Sequence, residues 1–319
     1  MDARITKQRL ANLISYDWLK ILVTIAAFVL VLVVLFTTTA TRPAKEQQIA
    51  IYAHTDLQPD EDFSDLAATL LKRDVFSYDI LSVTSESFSG NSYASATFAA
   101  RRAAGQGNAM FITDNPVYKT DDDGGLVLGE DGEPEIESAS ELYNFAAGAV
   151  DETSRASGAV YDTEYFLSLC EEYLISFFGD DWRTNDAFDG ERTPAGSFSR
   201  NAKDKRYRTD EQKAQGLKDE EARLKKLRED YLAVDGALES GTFRHTVYTF
   251  EENGKTYEKA LGIDVGGLNR LKELVYYEED GVRTTKNVNL VILYNNYLDG
   301  HDLCFEIVSF LNYLLEHYA

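Results

Sequence analysis

Polar residues that could bind a ligand follow three short apolar stretches of the sequence. They come in pairs: His54 and Asp56 after IAIYA, Ser85 and Glu86 after YDILSV, and Asp114 and Asn115 after AMFIT. Imidazole, hydroxyl, amide and carboxylate groups supply both donors and acceptors of hydrogen bonds. The chemistry that they suit is the recognition of a polar small molecule.

The apolar stretches are predicted strands, within residues 46–55, at 78–83 and at 109–113. Between them, apolar residues from Phe63 to Leu71 repeat at intervals of three and four, and residues 93–104 form a small-residue helix. This alternation predicts an α/β fold with a mostly parallel, helix-covered sheet. Ligands bind beyond the carboxyl ends of such strands, so we expect the six residues to line one cleft. Loop solvation and helix capping are the alternative roles for each of them.

Signatures of catalysis and of metal binding are missing. The four histidines, His54, His245, His301 and His317, lie far apart in the sequence, and no Gly-X-Ser-X-Gly or Ser-X-X-Lys motif occurs. The glycine-containing stretches SFSGNS and GQGN lack the lysine of a phosphate-binding loop. Residues 121–125, DDDGG, do not fit the calcium loop of an EF-hand. We therefore predict a non-catalytic protein without a metal or cofactor.

Composition limits the partners and the redox chemistry. The 319 residues include 32 basic and 54 acidic side chains, a formal charge of −22 that disfavours nucleic acid. Cys170 and Cys304 are too few for a disulfide framework. Both lie in stretches with helical apolar spacing, which favours buried free thiols; the sequence leaves open whether they pair.

A membrane-spanning helix is predicted at residues 21–40, which are free of charge and about 30 Å long as a helix. Arg4, Lys7, Arg9 and Lys20 precede it, so residues 1–20 are expected in the cytoplasm and residues 41–319 outside the cell membrane. A cleaved signal peptide is the alternative. Without residues 1–40, which hold two acids and four bases, 28 bases and 52 acids remain, a formal charge of −24.

The rest of the outer domain mixes helices and hairpins. Helices are predicted at 163–178 and at 208–234, joined by a polar connector that holds Trp182, and we interpret residues 161–235 or so as a helical insertion. Asn253-Gly254 predicts a hairpin between strands at 242–250 and 255–263. A second strand pair, at 274–278 and 283–294, and a helix at 302–317 complete the chain.

Residues 46–116 resemble the first lobe of a type 2 periplasmic-binding (extracellular solute-binding) protein. ARRAAGQGNAMFITD is similar to that family's second helix and third strand, YEKALGIDVGGLNRL to its return to the hinge, and LVILYNN to its last strand. The whole chain resembles single-pass membrane proteins of Firmicutes-type bacteria, with Ser15-Tyr16-Asp17-Trp18 at the entry to the anchor. The resemblance implies a second, smaller lobe, a ligand in the cleft between the lobes, and closure by hinge motion.

The function expected from these observations is extracytoplasmic binding of a small solute by a membrane-anchored protein. The expected contacts are the six strand-end residues, with Trp182 as a stacking platform for a sugar. The alternative is a scaffold or assembly protein that uses the same fold to bind an envelope protein. The 19 tyrosines and the charged helix at 208–234 motivate this alternative.

Overall fold

The computed structural model describes residues 7–39, 43–90, 93–121, 125–129, 131–146, 156–157, 160–198, 206–294 and 304–319. The chain divides into two units, Met1–Ala44 and Lys45–Ala319.

The N-terminal unit contains one long helix, α1 (Lys7–Thr39), where the sequence predicts a spanning helix at 21–40. Its segment Trp18–Leu35 is long and apolar enough to cross a membrane, and none of the side chains in that segment is buried. Its 33 residues extend over about 50 Å, more than the ~30 Å of a hydrocarbon core. The helix is compatible with a membrane anchor or with a signal sequence.

The second unit alternates helices with strands. Short 3-10 helices lie at Lys45–Gln47 and Leu271–Glu273. The α-helices are α2 (Glu61–Lys72), α3 (Ala94–Ala103), α4 (Glu141–Ala146), α5 (Thr163–Phe178), α6 (Pro194–Phe198), α7 (Asp210–Glu239) and α8 (Ile307–Tyr318). The strands are β1 (Gln48–Ala53), β2 (Gln58–Pro59), β3 (Ser82–Ser87), β4 (Ala109–Thr113), β5 (Val117–Tyr118), β6 (Ile136–Ser138), β7 (Ala156–Ser157), β8 (Val160–Tyr161), β9 (Arg244–Glu252), β10 (Lys255–Asp264), β11 (Val275–Glu279), β12 (Val282–Thr284) and β13 (Val288–Ile292).

The main sheet has six strands in the order β3-β1-β4-β13-β10-β9. Strand β1 runs parallel to β3 and to β4, but the other three pairs are antiparallel. The fold is therefore mixed α/β with a mixed sheet, and the prediction of a mostly parallel sheet is wrong. The physical reason is the predicted hairpin of β9 and β10, which turns through Asn253 and Gly254 at φ 52° and 76° and adds antiparallel strands to the parallel trio.

Strand β3 lies later in the chain than the sequence predicts. The apolar run at 78–83 is where we expect it, yet the strand begins at Ser82 and ends at Ser87. The apolar residues before it, Val75, Phe76 and Ile80, enter the core from the connection between α2 and β3. The strand itself is half-exposed and polar because it occupies the outer position of the sheet.

The two faces of the sheet build two hydrophobic clusters. Ile49 and Ile51 of β1 belong to the larger cluster, which includes residues of α2, α5, α7 and α8. Ala50 and Tyr52 alternate to the other face and belong to a smaller cluster with residues of α3 and α4. Helices therefore cover both faces.

Helix α7, which lies mostly within the predicted helical insertion at about 161–235, contributes to the core. It begins at a capping box of Thr209 and Gln212, and it packs Leu224, Tyr231 and Val234 into the larger cluster. Across the described residues, Lys45–Ala319 forms one compact unit. The predicted second, smaller lobe and the cleft between two lobes are therefore not confirmed by the described residues.

Candidate functional site

The strand-end residues of β1 and β4 meet as predicted, beside the start of α4. His54 Nδ1 lies 2.9 Å from Asp56 Oδ1 and 3.6 Å from Glu141 Oε1. The second carboxylate oxygen of Asp56 accepts hydrogen bonds from the Thr113 amide at 2.8 Å and from its hydroxyl at 2.6 Å. The loop after β1 is thus tied to the end of β4.

Asp114 and Asn115 are held in the same way. The carboxylate of Asp114 accepts hydrogen bonds from the hydroxyls of Ser140 and Tyr248. The Asn115 side-chain oxygen accepts a hydrogen bond from Asn287 Nδ2 at 3.0 Å, and its carbonyl accepts one from the Glu141 amide at 2.9 Å. We call His54, Asp56, Asp114, Asn115 and their partners the strand-end cluster.

Burial shapes the electrostatics of this cluster. It raises the pKa of the Glu141 carboxyl, an effect opposed by His54 and reinforced by Asp56. It also raises the pKa of Tyr248, helped by the hydrogen bond to Asp114, so this phenol stays neutral and can donate. Each of the four predicted side chains already has a partner within the protein. The cluster therefore fixes the loops after β1 and β4 against α4.

Ser85 and Glu86 do not join the cluster. They belong to β3 itself and border a separate cavity of about 480 Å³, which we call the β3 groove. Eight of its 14 lining residues have polar side chains. These are Gln48, Ser82, Thr84, Ser85, Glu86, Arg101, Gln106 and Asn108.

Arg101 supplies the positive charge of the β3 groove. It lies in the last turn of α3, and its Nε donates to Glu86 Oε2 at 3.0 Å while its Nη1 donates to Gln106 Oε1 at 3.2 Å. The side chains of Arg101 and Glu86 are 45% and 32% exposed. Water screens such a pair, so each partner can turn to a ligand at little cost.

The base of the groove is rigid. Gly107 adopts φ 103°, and a Cβ there would lie 2.7 Å from Tyr52 Cε2, so only glycine fits. The Asn108 side-chain oxygen accepts a hydrogen bond from the Ala50 amide at 2.8 Å. Burial raises the pKa of Tyr52 to about 12, which keeps the phenol neutral. The turn after α3 is thereby fixed against β1.

Trp182 does not face a ligand site. Its side chain is 2% exposed and packs edge-on against Tyr231 of α7, with ring centroids 5.3 Å apart. The Arg183 guanidinium lies 4.7 Å from the centre of its ring. The predicted stacking platform is therefore a core residue with no free face.

The sequence reading missed Arg101, Gln106 and Asn108. The GQGN turn that carries two of them lacks the lysine of a phosphate loop, and the resemblance to a periplasmic-binding protein includes it only as the turn between a helix and a strand. Its role depends on the pairing of β1 with β3 and β4, which local sequence does not reveal.

The chemistry of the groove is hydrogen bonding with one charge of each sign. Among the described residues, no group of three His, Cys, Asp or Glu side chains is placed to hold a metal ion. Cys170 is buried and Cys304 half-buried, both are free, and burial raises the pKa of each thiol, which disfavours a reactive thiolate. No family model matches this sequence, and no curated protein or solved structure matches it.

Proposed function

We propose that this protein is a membrane-anchored, extracytoplasmic binding protein that holds a small polar molecule in the β3 groove without transforming it. The proposal keeps the ligand class expected from the sequence but moves the site from a cleft between lobes to the side of β3. The resemblance of this protein to type 2 periplasmic-binding proteins is a hypothesis. It rests on the three parallel strands β3, β1 and β4 and on helices α2 and α3.

The observation that carries the proposal is the β3 groove itself. Its volume of about 480 Å³ lies within the range of small-molecule sites, roughly 300–1,000 Å³. The half-exposed Glu86 and Arg101 present a carboxylate and a guanidinium side by side. The polar side chains of the strand-end cluster already form hydrogen bonds within the protein. The β3 groove is therefore the better candidate for hydrogen bonds to a ligand.

Ligand binding should raise the melting temperature of the full chain in detergent, because a ligand bound only to the folded state stabilises it by about 2.7 kcal/mol at 100 times its Kd. The screen would use amino acids, oligopeptides and sugars. Glu86→Gln and Arg101→Met should each weaken a hit about tenfold, the loss of one charged hydrogen bond. Isothermal titration calorimetry measures this.

Arg183→Met is the matched control, because Arg183 is as exposed as Arg101 and also forms ion pairs, here with Glu171 and Asp235, but it lies beside Trp182. The control should bind the hit like the native protein. The proposal is contradicted if a broad library gives no hit, or if Arg101→Met leaves the affinity for a hit unchanged.

The orientation of the anchor also belongs to the proposal. Four basic residues precede the apolar part of α1, and the −24 charge of residues 41–319 favours an exported, soluble body. In intact bacterial spheroplasts, added protease should digest residues 45–319 while an N-terminal tag stays protected. Recovery of the tag on the undigested chain distinguishes an anchor from a cleaved signal sequence. Digestion only after detergent lysis would reverse the assigned orientation.

A further inference from the structure

The outer edge of β3 is open in the part of the chain that the structure describes. β3 pairs with β1 over six consecutive residues without a register shift, and no described strand pairs with its other edge. Its sequence SVTSES contains no proline or lysine, the residues that usually block such an edge. The opposite edge strand, β9, differs, since it begins at Arg244, ends at Glu252 and lies beside an irregularity in β10.

The backbone groups that point outward follow from the pairing. The Ala50 carbonyl of β1 accepts a hydrogen bond from the Asn108 amide on the β4 side at 2.9 Å, whereas the Ala53 carbonyl accepts one from the amide of Phe88, the residue after β3, at 3.0 Å, so Phe88 directs its backbone at β1. Alternate residues of a strand paired on one side direct their backbone away from the partner. Ser82, Thr84 and Glu86 therefore face β1, and Val83, Ser85 and Ser87 present their N–H and C=O groups to the open edge. They span about 13 Å at ~3.3 Å per residue, the length of about five extended residues.

The groove lies where the side chains of an added strand would fall. Thr84, Glu86 and Arg101 all line it, so an extended chain on the β3 edge would direct alternate side chains towards these groups. We propose that the β3 groove binds an extended, basic peptide segment by adding it to the sheet as a further strand. This inference rests on the proposed function and names the class of ligand.

Charge selects the occupant. The outer body carries −24, and Glu86 lies on the open edge, so a positively charged peptide is attracted both at long range and at contact. A second copy of this chain would bring another −24 and be repelled. A single small molecule would leave most of the outward backbone groups of β3 without a protein partner, whereas a peptide backbone pairs with them.

The test uses the full chain in detergent and the acetylated, amidated pentapeptide Lys-Val-Thr-Val-Lys, with fluorescence anisotropy or calorimetry as the readout. Two N-methylated forms of the peptide differ in which alternate backbone N–H groups are blocked. One form should bind about tenfold more weakly and the other nearly as well as the parent, because only alternate N–H groups face β3. This comparison needs no change to the protein.

Two protein variants add independent readouts. Ser85→Pro removes one outward N–H at a position where an edge strand tolerates proline, and it should weaken the peptide about tenfold. Glu86→Lys should reverse the charge preference, so that the glutamate analogue of the peptide binds better than the lysine one. Glu251→Lys, the same charge change on β9, is the control and should leave the preference unchanged.

The alternative results are distinct. Equal binding of both N-methylated forms overturns strand addition. Binding of amino acids or sugars without peptide overturns this inference and leaves the proposed function standing, whereas no binding of any of these overturns both. Self-association of the chain that Ser85→Pro abolishes, without peptide binding, would assign the edge to a second copy and overturn the peptide proposal.

Discussion

Replacing Arg223 by methionine should destabilise the Lys45–Ala319 unit by about 3–5 kcal/mol, the usual cost of breaking a buried ion pair by removing one partner. The Arg223 guanidinium donates to both oxygens of Glu220 at 2.8 and 2.9 Å, to Glu306 Oε1 at 3.1 Å and to the Tyr173 hydroxyl at 2.6 Å. Glu220 is only 2% exposed. Without the guanidinium, the protein would bury carboxylates that have lost their counter-charge.

The loss should depend on pH in a defined direction. Burial opposes ionisation of Glu220, yet the bonds from Arg223 hold the pKa of its carboxyl below the usual value. In the native protein this contributes stability that is lost as pH falls below about 4.5. In Arg223→Met, burial would raise that pKa against only the hydrogen bonds from Tyr78 and Ser197, so the variant's deficit should be largest at pH 7–8 and shrink as pH falls to about 4.

Urea unfolding of the full chain in detergent measures the effect, with Lys225→Met as the control on the same helix. Lys225 Nζ pairs with Asp186 Oδ2 at 2.8 Å, but both side chains are exposed and water screens the pair, so its loss should change the stability little. Adding Glu220→Gln and Glu306→Gln to Arg223→Met should recover part of the stability, because no uncompensated charge then remains. Equal losses for Arg223→Met and Lys225→Met would mean that the network is not buried in solution.

This network also explains why the sequence of α7 shows only a weak apolar pattern although the helix packs into the core. The buried face of α7 includes Glu220 and Asp230 as well as leucines, so its apolar periodicity is weak. Asp230 is accommodated by Lys226 Nζ at 2.6 Å and Asn312 Nδ2 at 2.9 Å, and Asn312 belongs to α8. Arg223 and Lys226 lie within one turn of these carboxylates, but Tyr78, which donates to Glu220, and Asn312 come from distant sequence, and a local pattern cannot include them.

Elements with strong local signals were predicted well. The predicted helix at 163–178 and strand at 109–113 coincide with α5 and β4, because a capping Asp162, a closing Gly179 and a continuous apolar run mark them locally. The order of strands was not predictable in this way. Placing β13 between β4 and β10 depends on contacts across more than a hundred residues of chain.

The candidate site was likewise predicted only in part. His54, Asp56, Asp114 and Asn115 converge because β1 and β4 are neighbouring parallel strands, as the alternation of elements implied. Ser85 and Glu86 lie elsewhere because β3 continues through Ser87 instead of ending at 83. A shift of four residues in one edge strand thus separates a predicted single cleft into an internal cluster and a groove.

Replacing Trp182 by alanine should destabilise the same unit by about 3–5 kcal/mol, as for other large core side chains, and leave ligand affinity in the β3 groove unchanged. The ring fills space against Tyr231, and the Trp182 carbonyl accepts a hydrogen bond from Arg228 Nε. The residue therefore holds the connector between α5 and α6 onto α7. Removing the ring leaves a cavity that a helix buried on this face cannot close.

Tyr93→Ala is the control, since Tyr93 is 76% exposed and the same type of truncation there should change the unfolding midpoint little. Unfolding in urea and calorimetry with a groove ligand separate the two roles that a tryptophan can have. A core residue lowers the midpoint and spares the affinity, whereas a stacking platform does the reverse. If Trp182→Ala kept the native midpoint and lost the ligand, the connector would have to open in solution, and the groove beside β3 would not be the whole binding site.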